Sequence, residues 1–314
     1  MNCAFHDNYR IFLPPSHPYP MGKYVLLKDA LLAEGLIGPE NLFRPEPVDR
    51  PAMALVHTPD YLDKLESAGL NAVELRRLGI PWSDALWLRS RLAAGGTLQA
   101  ARRALREGLS GNLAGGTHHA FADHGEGFCV LNDVAIAIRC LQREGSLQRA
   151  AVIDLDVHQG NGTASIFEHD RDVFTFSMHG ENNYPLQKMR STLDVGLPAG
   201  TGDDAYLAAL EQHLPAVLEF APQLVFFLAG VDVLAGDRYG RLALSESGLR
   251  RRERCVLQAV RGAGVPLVIV LGGGYAVDTL RTAQLHMHVF REAMAVERAS
   301  QIRAASGNAD SPGG

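Results

Sequence analysis

Two carboxylates and one imidazole in this chain have the types and positions of metal ligands. Asp156 and His158 end an apolar run over residues 151–157, and Asp232 follows a second apolar run, Leu224–Leu228. A carboxylate at the end of a buried strand loses its solvation unless a cation or strong hydrogen-bond donors replace the water. A divalent metal does this most simply. The three residues therefore predict a metal site with open positions.

Asp154, Asp156 and His158 stand at every second position, and this spacing indicates which face of a strand they would occupy. Side chains alternate between the two faces of a strand. If residues 151–158 form one strand, Asp154, Asp156 and His158 point to one face and the apolar residues between them pack on the other. The sequence therefore predicts one acidic, metal-ligating face.

Short apolar runs alternate along the chain with stretches of helical periodicity. Continuous apolar runs of this length are typical of parallel strands buried on both faces. The predicted strands are residues 52–57, 150–157, 173–177, 224–229 and 266–271, and the predicted helices are 22–34, 87–107, 133–144, 203–220, 247–262 and 277–295. This alternation predicts a single-domain, three-layer α/β/α fold with a mainly parallel sheet, in which ligands bind beyond the carboxyl ends of the strands.

Composition predicts a soluble globular protein. The 314 residues are 46% hydrophobic and carry a formal net charge of −5, which argues against direct nucleic-acid binding through bulk charge. The Arg250 to Arg252 run is interpreted as a solvated helix face. We expect one domain over residues 1–305 and a disordered tail over 306–314, since the tail lacks large apolar residues.

The cellular location is predicted from cysteines and apolar runs. The four cysteines form no CxxC pair, which is typical of free thiols in a reducing compartment. No apolar run reaches the roughly 18 residues of a membrane-spanning helix, and the first residues show no signal-peptide pattern. We therefore expect a cytoplasmic protein without membrane contact. The oligomeric state stays open.

Five glycine-rich segments contain most of the candidate polar residues. They are residues 113–120 (LAGGTHHA), 125–133 (GEGFCVLND), 154–162 (DLDVHQGNG), 229–237 (AGVDVLAGD) and 271–275 (LGGGY). The adjacent His118 and His119 are either a base with its partner, with pKa values set apart by different neighbours, or one core and one exposed residue. The glycines before Tyr275 either let the backbone approach a ligand or form a flexible turn.

Together and in this order, the five segments resemble the histone deacetylase family of the arginase/deacetylase fold. The resemblance covers nearly the whole chain, and the HQGNG and AGVDVLAGDRYGRL stretches are most similar to the class IV branch and its bacterial relatives. It implies a zinc-dependent amidohydrolase that removes acetyl or longer fatty acyl groups from lysine side chains by a metal-activated water. Acetylated polyamines or other small amides are the alternative substrates.

The resemblance assigns the ion-binding residues. Asp156, His158 and Asp232 would hold zinc, and ferrous iron would fit the same ligands. Potassium, as a structural ion, would be held by Asp154, Asp156, His158, Ser177 and Met178, largely through backbone carbonyls.

The resemblance also assigns the groups that move protons. His119 would be the general base and then the acid that protonates the leaving amine, beside a His118 paired with Asp154. Tyr275 would donate a hydrogen bond to the carbonyl oxygen as it becomes an oxyanion. Asn161 replaces the aspartate that orients the second histidine in class I, so His119 should be less basic than it would be beside a carboxylate.

Four residues are implied to contact the substrate, which would be an acyl-lysine in a protein or a small acylated amine. The Gly127 carbonyl would accept the substrate amide N–H, and Phe128 would form one wall of an apolar tunnel, faced by Tyr184. Tyr239 stands near the point where polyamine-selective relatives place a glutamate, which argues against a polyamine specialist.

Two further classes of protein remain as alternatives. A catalytically silent binding protein would be expected to have lost a ligand, whereas all three ligands, both histidines and the tyrosine are present here. An arginase-like binuclear manganese enzyme needs more carboxylates around the histidine than this sequence offers.

Overall fold

The part of the chain that the computed structural model describes, residues 1–307, is built around a sheet of eight parallel strands. Numbered along the chain, the strands are β1 (Asn2–Ala4), β2 (Leu42–Phe43), β3 (Leu109–Asn112), β4 (Ala150–Asp154), β5 (Val173–Gly180), β6 (Leu193–Leu197), β7 (Leu224–Leu228) and β8 (Leu267–Val270). Their order in space is β2-β1-β3-β8-β7-β4-β5-β6. Every neighbouring pair is parallel.

Ten α-helices within residues 1–307 flank the sheet. They are α1 (Lys23–Ala33), α2 (Arg50–Met53), α3 (Pro59–Glu66), α4 (Ala72–Leu78), α5 (Asp84–Glu107), α6 (Asp133–Arg143), α7 (Asn161–Phe167), α8 (Asp203–Glu219), α9 (Glu246–Gly262) and α10 (Thr279–Gly307). Helix α5 packs against α6, whereas α8, α9, α10 and α1 pack one against the next. A fully parallel sheet is stable when helices cover both of its faces. The predicted α/β/α fold class is confirmed.

The four central strands explain how distant segments meet. Strands β3, β8, β7 and β4 lie side by side, and their carboxyl ends meet at one edge of the sheet because all four are parallel. Segment 113–120 follows β3, segment 154–162 begins at the end of β4, segment 229–237 follows β7, and segment 271–275 follows β8. The topology therefore brings four of the five glycine-rich segments together.

The prediction that residues 151–158 form one strand is wrong beyond Asp154, where β4 ends. Side-chain oxygens there replace the neighbouring strand as backbone acceptors. Asp154 Oδ1 accepts from the Asp156 backbone N–H at 3.1 Å, and Asp156 Oδ1 accepts from the His158 N–H at 2.9 Å. Because these contacts turn the chain, strand alternation does not determine where Asp156 and His158 point.

The strand predicted over residues 52–57 is also wrong, because α2 occupies its first part. Asp49 caps this helix by accepting from the Ala52 N–H at 3.0 Å, and Pro51 lies in the first turn, where its missing N–H costs nothing. Conversely, β3 has the sequence LSGN and no apolar run, so no local pattern predicted this strand. Its Asn112 is buried and donates to Ala93 O at 2.9 Å.

The last helix continues past its predicted end at residue 295, through Gly307. Most of the predicted tail over 306–314 lies outside the described residues. No helix within residues 1–307 has both the length and the apolar character needed to cross a membrane.

The interpretation of Arg250 to Arg252 as a solvated helix face is wrong for Arg252. Its side chain is fully buried, and it donates to Leu155 O at 3.0 Å and to Gly230 O at 2.8 Å. It also forms an ion pair with the buried Glu253. Arg252 thus links α9 to the chain just beyond β4 and β7, directly behind the candidate ligands.

Replacing Arg252 with alanine should lower the free energy of unfolding by about 3–5 kcal/mol, because Glu253 would be left buried without its cation. The matched control is Arg251→Ala, whose side chain is 53% exposed and should change stability by less than about 0.5 kcal/mol. Urea denaturation followed by circular dichroism measures both. Equal stability of the two variants would contradict the core position of Arg252.

Candidate metal centre

Asp156, His158 and Asp232 form a buried cluster beyond the ends of β4 and β7. One ligand atom from each lies within 4.8 Å of the others. His158 Nδ1 is 3.0 Å from Asp156 Oδ1 and 3.3 Å from Asp232 Oδ2. Burial, together with the charge of Asp156, raises the pKa of Asp232 to about 7. The two adjacent buried carboxylates of the cluster therefore favour binding of a cation.

One oxygen in this cluster has no hydrogen bond. Asp232 Oδ1 accepts from the Val157 N–H at 2.9 Å, but Asp232 Oδ2 is buried without a hydrogen-bond partner. A buried, unsatisfied carboxylate oxygen is unfavourable unless a cation satisfies it. Two carboxylates and one imidazole also match the donor set of zinc or ferrous sites that keep open positions. The residues present fit such an ion.

Gly273 provides the space that the two carboxylates occupy. A Cβ atom at this position would lie 2.0 Å from Asp232 Oδ2 and 2.7 Å from Asp156 Oδ2. The Gly273 backbone N–H also donates to Asp156 Oδ2 at 2.5 Å. The segment after β8 therefore approaches the cluster with its backbone, which only glycine allows at this distance.

His118 lies beside the cluster with its Nδ1 held by Asp154. The distance from His118 Nδ1 to Asp154 Oδ2 is 2.7 Å, and both side chains are buried. Burial lowers the pKa of His118, but the charges of Asp154 and Asp156 outweigh burial and raise it to about 9. The two carboxylates therefore favour the protonated form of the His118 ring.

His119 differs from its neighbour in both hydrogen bonding and charge. Its Nδ1 lies 2.7 Å from Asn161 Oδ1. An amide oxygen only accepts, so Nδ1 carries the proton and Nε2 is unprotonated in the neutral ring. Burial, followed by the charges of His118 and His158, holds the pKa of His119 well below its ordinary value. The expected low basicity is present, but burial is its main cause rather than Asn161.

An outer cavity of about 250 Å³ leads from the surface to these groups. It is lined by His119, Gly127, Phe128, His158, Tyr184, Tyr239 and Tyr275. Aromatic rings build most of its wall: Tyr239 and Tyr275 lie 5.0 Å apart between ring centroids, and Tyr184 lies 5.1 Å from His119. All four predicted substrate-contact residues therefore line one cavity.

The wall formed by Gly127 and Phe128 depends on an unusual backbone. Gly127 has φ +54°, and a Cβ atom there would lie 2.6 Å from His119 Cδ2. Phe128 adopts φ +68°, a region that non-glycine residues rarely occupy. This conformation points to a ligand-contacting position, since strained residues concentrate at such sites.

An inner cavity of about 20 Å³ continues from the outer one towards the cluster. The two share His119, Gly127, Phe128, His158 and Tyr275, and the inner cavity also reaches Asp156 and Gly273. Asp156, His158, His118, His119 and Tyr275 therefore surround one continuous space, and Asp232 lies buried against His158 just behind it.

Tyr19 and Asp237 belong to this site but were not predicted. The Tyr19 ring lies 5.3 Å from Phe128 and 6.2 Å from Tyr275, and Asp237 Oδ2 accepts from the Tyr275 N–H at 2.7 Å. Asp237 stands in segment 229–237, so its position gave a usable signal. Tyr19 lies in an N-terminal loop outside the five segments, and no motif pointed to it.

The residues predicted to hold potassium lie next to this site. Asp154 of β4 pairs in register with Ser177 of β5, and Met178 is the next residue along β5 and is buried. Ser177 Oγ lies 3.0 Å from His179 Nδ1. Potassium binding itself stays a prediction.

Sequence and fold comparisons identify the family. Residues 17–290 match the histone deacetylase domain. The chain is 48% identical to an uncharacterized protein of Picosynechococcus sp. over 93% of this chain and 95% of that protein. It is 30% identical to histone deacetylase 2 of Arabidopsis thaliana over 84% of this chain and 71% of that protein. The chain belongs to the histone deacetylase family.

A solved structure supports the fold independently. The HD domain of HDA15 superposes with a TM-score of 0.78 and 23% sequence identity, over 94% of this chain and 89% of that domain. The fold and family define a hydrolase of the histone deacetylase type. Assignment to the class IV branch stays a prediction.

Replacing Gly273 with alanine should weaken zinc binding by about 10–100-fold, the usual range for groups that position metal ligands. The added methyl group would overlap Asp232 Oδ2 and displace a candidate ligand. Zinc content by mass spectrometry and affinity by competition with a chromophoric chelator measure the effect. Gly262→Ala is the matched control, because a Cβ there meets no atom within 4 Å. Equal zinc affinity of the two variants would exclude the proposed ligand geometry.

Proposed function

We propose that this protein is a metal-dependent amidohydrolase that removes acyl groups from lysine side chains. The observation that carries the proposal is the continuous space of the outer and inner cavities. Aromatic walls lead inward to Asp156 and His158 of the cluster, and His119 and Tyr275 line the same space. A nucleophilic water, a base and an oxyanion donor can therefore converge on one carbonyl group.

Asp156, His158 and Asp232 would hold the ion, with zinc preferred and ferrous iron suited to the same ligands. The chemistry that a bound zinc ion supplies is Lewis acidity, which polarises a carbonyl group and makes a nearby water more acidic. The buried, unsatisfied Asp232 Oδ2 supports this assignment.

His119 is suited to accept the proton of the attacking water. Its Nδ1 proton is donated to Asn161, so the lone pair of Nε2 faces the cavity. The low pKa of His119 keeps the ring neutral at pH 7, and a weakly basic imidazole readily passes its proton on to the leaving amine. The charged His118, held by Asp154, stabilises negative charge that develops beside it.

Tyr275 is suited to stabilise the carbonyl oxygen. Burial raises the pKa of its phenol well above the ordinary value, so the O–H group stays a donor at physiological pH. The Asp237 contact to its backbone N–H and the packing of Tyr239 and Tyr19 hold it in place. A donor fixed before the reaction stabilises a developing oxyanion without reorganisation.

The cavity walls support an acyl-lysine substrate. Aromatic rings line the outer cavity and would pack against the aliphatic lysine chain, while the Gly127 carbonyl would accept the amide N–H. Among the described residues that line the outer cavity, none is a carboxylate. A polyamine ammonium group would lack a direct partner there, so an acylated protein lysine is the preferred substrate and a polyamine the alternative. We propose that this substrate is a cytoplasmic protein.

Tyr275→Phe should lower kcat for acyl-lysine peptides by about 10²–10³-fold with little change in KM, because the lost hydrogen bond matters most in the transition state. A panel of acetyl-lysine and myristoyl-lysine peptides and acetylspermidine measures rate and preference together. Tyr239→Phe should lower kcat less than Tyr275→Phe does, since the phenylalanine ring still packs against Tyr275. The proposal fails if zinc-loaded wild type releases no acyl group from any lysine peptide.

Removal of the metal should abolish hydrolysis, and added zinc should restore it. The test is dialysis against a chelator followed by titration with zinc and with ferrous iron, each with an activity assay. Asp232→Ala should stay inactive at every metal concentration, because one of three ligands is absent. Tight zinc binding without hydrolysis would instead favour a silent binding protein.

A further inference from the structure

The orientation of the Asn161 amide matters because its two ends differ, whereas the two oxygens of an aspartate are equivalent. Its amide has one oxygen, which only accepts hydrogen bonds, and one nitrogen, which only donates. The oxygen lies 2.7 Å from His119 Nδ1, and the nitrogen lies 2.9 Å from Glu126 Oε1. Which end faces His119 decides which nitrogen of that ring carries the proton.

We propose that Glu126 is a positioning residue that fixes the orientation of Asn161 and thereby keeps His119 Nε2 unprotonated. This inference rests on the proposed function of His119 as the base. A carboxylate accepts hydrogen bonds and donates none, so Glu126 attracts the amide nitrogen of Asn161 and leaves its oxygen towards His119. In the reverse orientation the Asn161 nitrogen would require Nδ1 as an acceptor. The proton would then reside on Nε2, and the base would be lost.

The surroundings of Glu126 keep it ionised and in place. Burial raises its pKa, but the ion-pair contact with His124 and the hydrogen bonds from Tyr184 and Asn161 outweigh burial and hold the pKa below its ordinary value. Its backbone N–H donates to Cys129 O at 3.1 Å. The Glu126 side chain is 17% exposed, so its preference for a donor is only partly weakened by water.

Glu126 also connects the base to the cavity wall. The Tyr184 hydroxyl donates to Glu126 Oε1, the oxygen that receives the Asn161 amide. The Tyr184 ring lines the outer cavity and lies edge-on to His119. One oxygen of Glu126 therefore links Tyr184 in the cavity wall to Asn161, the hydrogen-bond partner of His119.

Asn161 and Glu126 form a complementary pair. An aspartate at position 161 would need no orienting partner, because both of its oxygens accept. It would, however, place a second carboxylate against Glu126 at the present 2.9 Å contact, where the two like charges repel. Exchanging both residues, with glutamine at 126 and aspartate at 161, would restore one donor and one acceptor at that contact.

The test compares Glu126→Gln, Asn161→Asp and the double variant in the zinc-loaded protein. We expect Asn161→Asp to lower kcat/KM by about 10–100-fold, the range for groups that orient a reactive residue, and Glu126→Gln to lower it less, because its amide oxygen can still accept from Asn161. The double variant should exceed Asn161→Asp, since the contact between positions 126 and 161 again has one donor and one acceptor. Glu181→Gln, an exposed carboxylate in the same loop as Tyr184, is the matched control and should keep wild-type activity. An Asn161→Asp variant faster than wild type, or a double variant no better than Asn161→Asp, would overturn the inference.

The tautomer of His119 provides a readout that does not depend on hydrolysis. Ring ¹⁵N chemical shifts, assigned with a His119→Gln sample, should show proton on Nδ1 in wild type and in the double variant. Glu126→Gln should show a second population with the proton on Nε2. An unchanged tautomer in Glu126→Gln would refute the positioning role. Wild-type protein that shows the expected tautomers but hydrolyses no amide would count against the proposed function alone.

Discussion

The structure depends on burying two carboxylates next to each other. Asp156 and Asp232 lie in contact with one imidazole at the edge of the sheet, and this arrangement is unfavourable without a cation. The neighbouring features fit that constraint. Gly273 leaves room for the oxygens, the Gly273 and Val157 backbone N–H groups donate to them, and Arg252 packs positive charge behind them. Backbone donors thus stabilise one oxygen of each carboxylate.

The two adjacent histidines have different hydrogen-bond partners, and these partners favour different protonation states. Both rings are buried and lie 4.0 Å apart between centroids. His118 faces a carboxylate and is held charged, whereas His119 faces an amide and is held neutral. Each charge state reinforces the other, since a charged His118 disfavours protonation of His119. This division matches the roles of charge stabiliser and base.

The sequence predicted the fold class, most helices and the residues around the metal centre, because glycine-rich segments at strand ends are local signals. It did not predict β1, β2, β3 or β6. In β3 the buried Asn112 is satisfied by Tyr9, Ala93 and Thr97 from elsewhere in the chain. Arg252 was misjudged for a similar reason. Its burial depends on carbonyl groups of two distant strand ends, which no local pattern reveals. The roles of Tyr19 and of Glu126, which stands in segment 125–133, likewise depend on tertiary contacts.

The parallel order of the central strands also affects how this site can diverge. Each of β3, β4, β7 and β8 carries its own segment at its carboxyl end, and a separate helical element follows each segment: α6, α7, α9 and α10. An insertion in one such segment leaves the other three strand ends where they are. A change in one loop can therefore alter substrate specificity while the ion-binding residues keep their positions.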